Sequence, residues 1–420
     1  MSSPPPKGRF KRFLSILGPG VVTGAADDDP SGIVTYSIAG AQLGTSLLWT
    51  AMLTWPLMTA VQMMCARIGL VSGVGLAEAL RKRIPRSFLV VAAFGLFVAN
   101  TINISADLSG MAEVTQLLTG LNSRLFLVAF GCLIIFATIR FPYQALASIL
   151  KWLAVVLFSY VVTAFMVHPN WSHVLAATFL PHWPKGHAEW TTLVAILGTT
   201  ISPYLFFWQA SQEIEEEKSK GHLTEASRRG APESDLKERA LDVGIGTFFS
   251  NIIMYFIILT TALTLHQNGL THIESAKDAI QALRPLAGNF AALLYSIGLL
   301  GVGFLAIPTL AGSSAYAFSE TFGWRQGLDQ KLRRAQAFYG VLTCSILIGI
   351  ALSFTSIKPT DALFLTAVIN GILAPFLLLG ILWVASDAAV MQNQPSSILA
   401  RVVVSITTLG MFGAAIAMFL

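Results

Sequence analysis

Eleven apolar runs divide the 420-residue chain, and each is long enough to cross a lipid bilayer. A membrane-spanning helix needs about 20 predominantly apolar residues because the hydrocarbon core is roughly 30 Å thick. Backbone polar groups inside hydrocarbon must be satisfied within the segment, and no run shows the alternation of a barrel strand, so all eleven are predicted to be helices. The runs cover residues 13–45, 47–71, 87–111, 122–140, 146–167, 188–212, 240–265, 288–320, 335–355, 360–384 and 398–420.

The composition agrees with a chain that faces lipid. Hydrophobic residues make up 54% of the sequence and charged residues 12%, against about 25% charged residues in an ordinary soluble domain. So little charge cannot cover a water-exposed surface, which excludes a soluble multi-domain protein, collagen, a coiled coil, a disordered chain and a nucleic-acid-binding module. The expected partner is the lipid bilayer itself, with no nucleic acid and no obligatory protein partner.

Basic residues predict how the chain is oriented. If the N-terminus is cytoplasmic, 21 Lys and Arg fall in cytoplasmic stretches and five on the opposite side, and such an excess is typical of the cytoplasmic face. We therefore expect a basic cytoplasmic arm at residues 1–12 and an extracytoplasmic C-terminus. The longest connection, about 213–239, mixes acidic and basic residues and is predicted to be a solvated helix end and linker. Short loops and the lack of a signal-peptide cleavage site favour the inner (plasma) membrane of a prokaryote.

Three consecutive aspartates interrupt the first apolar run. Asp27, Asp28 and Asp29 come directly before Pro30, and Gly32 follows. A carboxylate that faces lipid costs about 2.5–3.5 kcal/mol on insertion scales, so these side chains are expected to face water, a partner or an ion. Pro30 disfavours helix at Asp29, and Gly32 tolerates unwound backbone. Asp29 and the carbonyls freed beside it therefore predict a site for a hard, oxygen-preferring cation.

A second break is predicted in the sixth run, where Ser202 precedes Pro203. Interrupted helices at matching places in two halves of a chain are typical of transporters built from inverted repeats, with the binding site near the bilayer midplane. A simple proline bend at Ser202 is the alternative. The predicted parts are a first repeat, an extracellular loop, a second repeat and an added eleventh span, at residues 13–167, 168–187, 188–384 and 398–420.

Several motifs around and after the first break match those of a known family. They are Asp29-Pro30-Ser31-Gly32, Ala39-Gly40-Ala41-Gln42-Leu43-Gly44, Gln62, Ala66-Arg67-Ile68-Gly69 and Ala106-Asp107-Leu108. In these motifs the chain resembles the Nramp divalent-metal transporters from about residue 14 to 384. The resemblance implies an all-α integral membrane protein with the LeuT-type fold, in which eleven transmembrane helices include two inverted repeats of five and broken helices 1 and 6. It also implies metal binding between the two breaks and alternating access.

Departures from the family pattern imply a harder metal site. Gly32 stands where the family has an asparagine ligand, and Ser202 stands where it has a methionine. A thioether selects softer transition metals, whereas a hydroxyl suits Mg²⁺ and Mn²⁺. Fewer side-chain ligands also leave room for water, which Mg²⁺ sheds reluctantly. The pattern resembles the Nramp-related magnesium transporters, and the ligands it implies are Asp29, carbonyls near Ala26 and Thr199, and Ser202.

The proton route of the family is also incomplete in this sequence. Tyr204 and Gln209 occupy the helix-6 positions of its histidines, and Gly110 replaces a glutamate. Without an imidazole that titrates near neutral pH, transport is predicted to be uncoupled from protons. Four other polar residues are candidates for the pathway, with a structural contact as the alternative for each: Asp28, Asp107, Glu113 and Asn370.

The predicted function is import of divalent metal, most of all Mg²⁺ and also Mn²⁺, which is the cargo and leaves no cofactor to predict. One alternative is a proton-coupled Mn²⁺/Fe²⁺ transporter of the ordinary Nramp type. A further alternative is a Na⁺-coupled amino acid transporter, although the three aspartates would repel the substrate carboxylate. An intramembrane enzyme is disfavoured because the sequence has no HExxH motif and no Gly-x-Ser-x-Gly elbow.

Overall fold

The computed structural model describes residues 19–141, 155–273, 275–355 and 358–420, and these stretches are mostly helical, with no β-strand. Their α-helices are α1 (Pro19–Asp27), α2 (Pro30–Leu43), α3 (Trp49–Ser72), α4 (Leu76–Arg81), α5 (Arg86–Thr119), α6 (Ser123–Arg140), α7 (Ser159–Met166), α8 (Trp171–Phe179), α9 (His187–Thr200), α10 (Pro203–Ser219), α11 (Glu225–Arg228), α12 (Glu233–Thr264), α13 (Ala276–Gln281), α14 (Arg284–Ala287), α15 (Ala291–Phe322), α16 (Gln336–Leu352), α17 (Pro359–Ser386) and α18 (Ile398–Ala417).

The helices follow the apolar runs of the sequence closely. The run 122–140 becomes α6, and 360–384 becomes α17. Seven segments of the described chain are long and apolar enough to cross a membrane: Arg86–Thr119, Ser123–Arg140, His187–Ser219, Glu233–Asn268, Arg284–Phe322, Pro359–Ser386 and Ile398–Ala417. The basic arm at 1–12 and much of the run 146–167 lie outside the described residues, so the count of eleven spans stays a prediction.

Both predicted breaks are present. Helix α1 ends at Asp27, and α2 begins at Pro30, with Asp29 in extended conformation (φ −67°, ψ 170°) as its N-cap. The Asp29 carboxylate accepts a hydrogen bond from the Gly32 N–H at 2.7 Å, which satisfies a backbone donor that the first turn of a helix leaves free. At the second break, α9 ends at Thr200 and α10 begins at Pro203. In both places proline occupies the first helical position, where its missing N–H costs nothing.

Glycines let long continuous helices approach the two broken ones. A Cβ added to Gly24 of α1 would lie 2.4 Å from the carbonyl carbon of Gly246 in α12. On the other side, a Cβ on Gly198 of α9 would lie 2.0 Å from the Ala367 carbonyl oxygen of α17. Such separations are too short for any side chain, so α12 fixes the first broken helix and α17 fixes the second by direct backbone packing.

The prediction that residues 213–239 are a solvated helix end and linker is wrong at both ends of this stretch. Glu213 is fully buried, and Arg239 is 7% exposed. Nε of Arg239 lies 2.8 Å from the Glu213 carboxylate, and its two Nη atoms lie 2.5 Å and 2.6 Å from Glu216 and Asp242. A run of mixed charge looks solvated in sequence, but pairing makes burial of these side chains possible. We call these four residues the Arg239 cluster.

Candidate cation site between the broken helices

Asp29 lies at the centre of a small buried polar network. One carboxylate oxygen caps α2 as described, and the other accepts a hydrogen bond from the Asn103 side-chain amide at 3.1 Å. The same Asn103 nitrogen lies 3.2 Å from the Asp107 carboxylate. Asp29 is 3% exposed, and Asp107 is fully buried. Asn103 therefore joins the predicted ligand Asp29 to the predicted pathway residue Asp107.

Sequence reasoning missed Asn103. The available signal was its position four residues before Asp107, which puts both side chains on one face of α5. That face also carries Asn100, whose amide donates to the Leu310 carbonyl at 2.9 Å. A helix with polar side chains at this spacing inside a membrane presents that face to the bundle interior.

The second break supplies the opposite wall of the site. The Ser202 hydroxyl lies 2.7 Å from the Thr199 carbonyl and 2.8 Å from the Gly198 carbonyl, and it donates to them. The Tyr204 hydroxyl donates to the Ala26 carbonyl at 3.0 Å, which ties the start of α10 to the end of α1. A carbonyl oxygen has two lone pairs, so the carbonyls of Ala26 and Thr199 each keep one lone pair for another partner.

Gly32 faces the gap between the two broken helices. A Cβ at this position would lie 3.1 Å from the Thr199 hydroxyl oxygen and 3.3 Å from the Asp27 carbonyl oxygen. Both neighbours are polar oxygens from the two helix breaks. Even a Cβ would crowd these oxygens, so the lack of a side chain at Gly32 lets the two breaks approach each other closely.

Asp27 and Asp28 form a second buried acidic pair beside Asp29. The Ser250 hydroxyl of α12 lies 2.7 Å from the Asp27 carboxylate and 3.2 Å from the Asp28 carboxylate. Both aspartates are buried, at 0% and 1% exposure. Asp27 therefore makes the shorter contact with Ser250. Ser250 was not anticipated, because nothing in its local sequence marks a residue more than 220 positions away as its partner.

The remaining predicted residues divide between the break region and more distant contacts. The Gln209 side-chain amide donates to Glu213 at 2.7 Å, so Gln209 contacts the Arg239 cluster. Glu113 accepts a hydrogen bond from the backbone N–H of Ala276 at 3.2 Å, at the start of α13. This is the structural contact that was the alternative to a role in the transport pathway. Asn370 is buried beside Gly371, which packs on α9, and its amide oxygen has no hydrogen-bond partner among the described residues.

The chemistry of the site is that of oxygen donors with excess negative charge. Within the described part of the chain, no Lys or Arg forms an ion pair with Asp29 or Asp107, and one side-chain oxygen each of Asn103 and Asp107 lacks a donor. Buried oxygens of this kind need a cation, a proton or water. No group of three or more His, Cys, Asp and Glu among the described residues could hold a metal ion, so any cation here would rely on Asp29 together with carbonyl oxygens and water.

Two helices that break opposite each other around a polar centre, inside a multi-pass helical bundle, define a membrane transporter. The family model "Natural resistance-associated macrophage protein-like", Nramp, matches residues 20–420. The chain belongs to the Nramp family. Members of this family are transporters and not enzymes. The predictions that this chain is a transporter and that it is not an enzyme are therefore both confirmed.

Individual relatives agree with this assignment. The chain is 27% identical over 316 residues to the divalent metal cation transporter MntH of Caldanaerobacter subterraneus subsp. tengcongensis, which covers 73% of this chain and 72% of the relative. The fold is similar to a crystal structure of the Eremococcus coleocola manganese transporter, with a TM-score of 0.71, 18% identity, and coverage of 99% of this chain and 88% of the other. It is also similar to Mhp1, a nucleobase-cation-symport-1 family transporter, with a TM-score of 0.57, 16% identity, and coverage of 96% and 91%. These likenesses confirm the predicted LeuT-type fold.

Proposed function

We propose that this protein imports Mg²⁺, and also Mn²⁺, as a partly hydrated ion by alternating access. The observation that carries the proposal is the buried Asp29 carboxylate at the first break, which forms no ion pair with a Lys or Arg of the described residues. The ligands are the Asp29 carboxylate, the Ala26 and Thr199 carbonyls and the Ser202 hydroxyl, all of them hard oxygen donors. Water completes the coordination of the ion, because Mg²⁺ gives up its waters reluctantly.

The direction of transport follows from the membrane potential across a prokaryotic inner membrane. A potential that is negative inside draws cations inward. The free energy released when one divalent ion moves inward at 100 mV is about 4.6 kcal/mol, since one elementary charge contributes roughly 2.3 kcal/mol. That driving force suffices for uptake without a second coupled ion.

Uptake into proteoliposomes tests the substrate class. Purified protein is reconstituted, a membrane potential is imposed, and accumulation of Mg²⁺, Mn²⁺, Ca²⁺ and a panel of amino acids is measured against protein-free vesicles. We expect uptake of Mg²⁺ and Mn²⁺ that depends on the potential. Transport of an amino acid without metal uptake would contradict the proposal and favour the amino acid alternative.

One substitution is expected to soften the site. In Ser202→Met a thioether, which favours softer transition metals, replaces a hydroxyl that suits Mg²⁺. We therefore expect the ratio of Mn²⁺ to Mg²⁺ uptake to rise roughly tenfold. Competition between the two ions in the same vesicles measures this ratio. An unchanged ratio, with uptake retained, would contradict the assigned ligands.

A proton-coupled Mn²⁺/Fe²⁺ transporter of the ordinary Nramp type is the second candidate. The observation in its favour is the buried link from Asp29 through Asn103 to Asp107, because it offers a second carboxylate that could accept a proton. We nevertheless expect uncoupled transport, since Tyr204 and Gln209 stand in place of titrating histidines.

A pH-sensitive dye inside the vesicles distinguishes the two candidates. With Mg²⁺ or Mn²⁺ outside and the potential clamped, we expect metal accumulation with no change of internal pH. The control is the same measurement with a proton ionophore, which shows that the dye responds to proton flux. Acidification of the interior that requires both the metal gradient and Asp107 would establish the proton-coupled candidate instead.

A further inference from the structure

A groove runs along the outer face of the bundle between α3 and α18. It encloses a cavity of about 560 Å³, and its walls are mostly apolar. Among the lining residues are Trp55, Ala60, Met63, Leu399 and Ala400. Trp55 and Leu399 are 39% and 73% exposed, so the groove opens toward the surrounding lipid. A second cavity of about 570 Å³ lies next to it and shares Met63, Arg67 and Pro395 with it.

Arg67 lies where the two cavities meet, and its charge has no anionic partner in the described part of the chain. Its Nε and one Nη atom lie 3.2–3.4 Å from the Gln394 carbonyl, and the same Nη lies 3.3 Å from the Pro395 carbonyl. Its other Nη atom has no hydrogen-bond partner among the described residues. A guanidinium within a membrane-spanning helix is costly unless it pairs with an anion or reaches water.

The second cavity adds no net charge of its own. Lys237 and Glu233 of α12 line it and pair at 2.9 Å, both of them largely exposed. Together with Arg67 these side chains leave one net positive charge beside the end of the apolar groove. An apolar channel that ends at the Arg67 guanidinium matches an acyl chain joined to a phosphate, because a guanidinium can bind a phosphate through two parallel hydrogen bonds.

We propose that this groove binds an anionic phospholipid, with one acyl chain between α3 and α18 and the phosphate on Arg67. The lipid contacts α3, α18 and the connection that holds Gln394 and Pro395, so it couples the eleventh span to the core of the bundle. In the proposed orientation the site lies in the cytoplasmic leaflet, where anionic lipids attract basic residues near the membrane surface.

Native mass spectrometry of the purified full-length protein tests this proposal. The protein is incubated with phosphatidylglycerol or with phosphatidylcholine of identical acyl chains, and the retained lipid is counted. We expect one tightly held phosphatidylglycerol, bound about tenfold more strongly than phosphatidylcholine. Both lipids carry the phosphate, but the choline cation of phosphatidylcholine offsets its charge and is repelled by the guanidinium. In Arg67→Gln the two lipids should bind equally.

Three further variants distinguish loss of the lipid site from a general change of charge and from misfolding. Arg333→Gln removes an exposed basic residue on the same side of the bundle but outside the groove, and it should keep the full preference. Ala400→Trp fills the apolar groove without changing charge, and it should lose the tightly held lipid. Arg67→Lys keeps the charge, and retention of the preference there would show that any loss in Arg67→Gln reflects charge. A preference that survives Arg67→Gln, or that falls equally in Arg333→Gln, would overturn the proposal.

Discussion

Asp29→Ala is expected to abolish Mg²⁺ uptake and Mg²⁺ binding. Asp29 is the carboxylate at the first break, and its oxygens contact Gly32 and Asn103, close to the proposed cation. Its removal takes away the one negative charge that the proposed ligand set contains. Uptake in proteoliposomes and calorimetric titration with Mg²⁺ measure the two losses separately.

Loss of the helix cap must be distinguished from loss of a ligand. Asp29→Ala also removes the acceptor for the Gly32 N–H, at a cost of about 1 kcal/mol in stability. Asp29→Asn keeps an acceptor for this bond but not the charge, so it should be folded and still inactive. The matched control is Asp361→Asn, an exposed acidic residue in the first turn of α17, which should transport normally. Uptake retained in Asp29→Asn would contradict the assignment of Asp29 as ligand.

Arg239→Gln is expected to cause the largest loss of stability in the chain. Three carboxylates surround this guanidinium within 2.8 Å, and Asp242 also accepts from the backbone N–H of Gly20 at 2.7 Å, at the start of α1. Removing the cation leaves buried like charges uncompensated, which costs roughly 3–5 kcal/mol. The midpoint of thermal unfolding in detergent measures the effect.

A comparison with an exposed ion pair checks the cause of that loss. Lys237 pairs with Glu233 at 2.9 Å, and both side chains are more than 70% exposed. Lys237→Gln should therefore leave the midpoint of thermal unfolding nearly unchanged, because exposed ion pairs contribute little. Adding Glu213→Gln to Arg239→Gln should restore part of the lost stability, because one fewer buried charge is left without a partner. Equal effects of Arg239→Gln and Lys237→Gln would contradict burial as the cause.

Much of the site could be predicted from local sequence because proline, glycine and aspartate determine where the two helices break. Pro30 and Pro203 each occupy the first position of a new helix, and proline cannot continue a helix from the preceding turn. Asp29 caps the helix that Pro30 begins, a role that its position alone favours. Gly32 and Ser202 stand where the family has an asparagine and a methionine, so the sequence also showed which two family ligands this chain lacks.

The partners of these residues could not be predicted in the same way. Asn103 and Ser250 reach the aspartates from α5 and α12, across 74 and more than 220 residues of sequence. Glu213 looked solvated because it belongs to an acidic run, and Gln209 looked like a pathway residue because of its family position. Each of these assignments depends on which helix face packs against which neighbour.

The sequence by itself determined that this chain spans a membrane, where two of its helices break and which carboxylate lies at the first break. Those properties depend on hydropathy and on the backbone chemistry of proline, glycine and aspartate, which act within a few residues. Only the tertiary structure decided that Asn103 joins Asp29 to Asp107, that Ser250 contacts Asp27 and Asp28, and that Arg239 is buried among three carboxylates. Those contacts depend on the close approach of α1 to α12 and of α9 to α17, which glycines far apart in the chain allow.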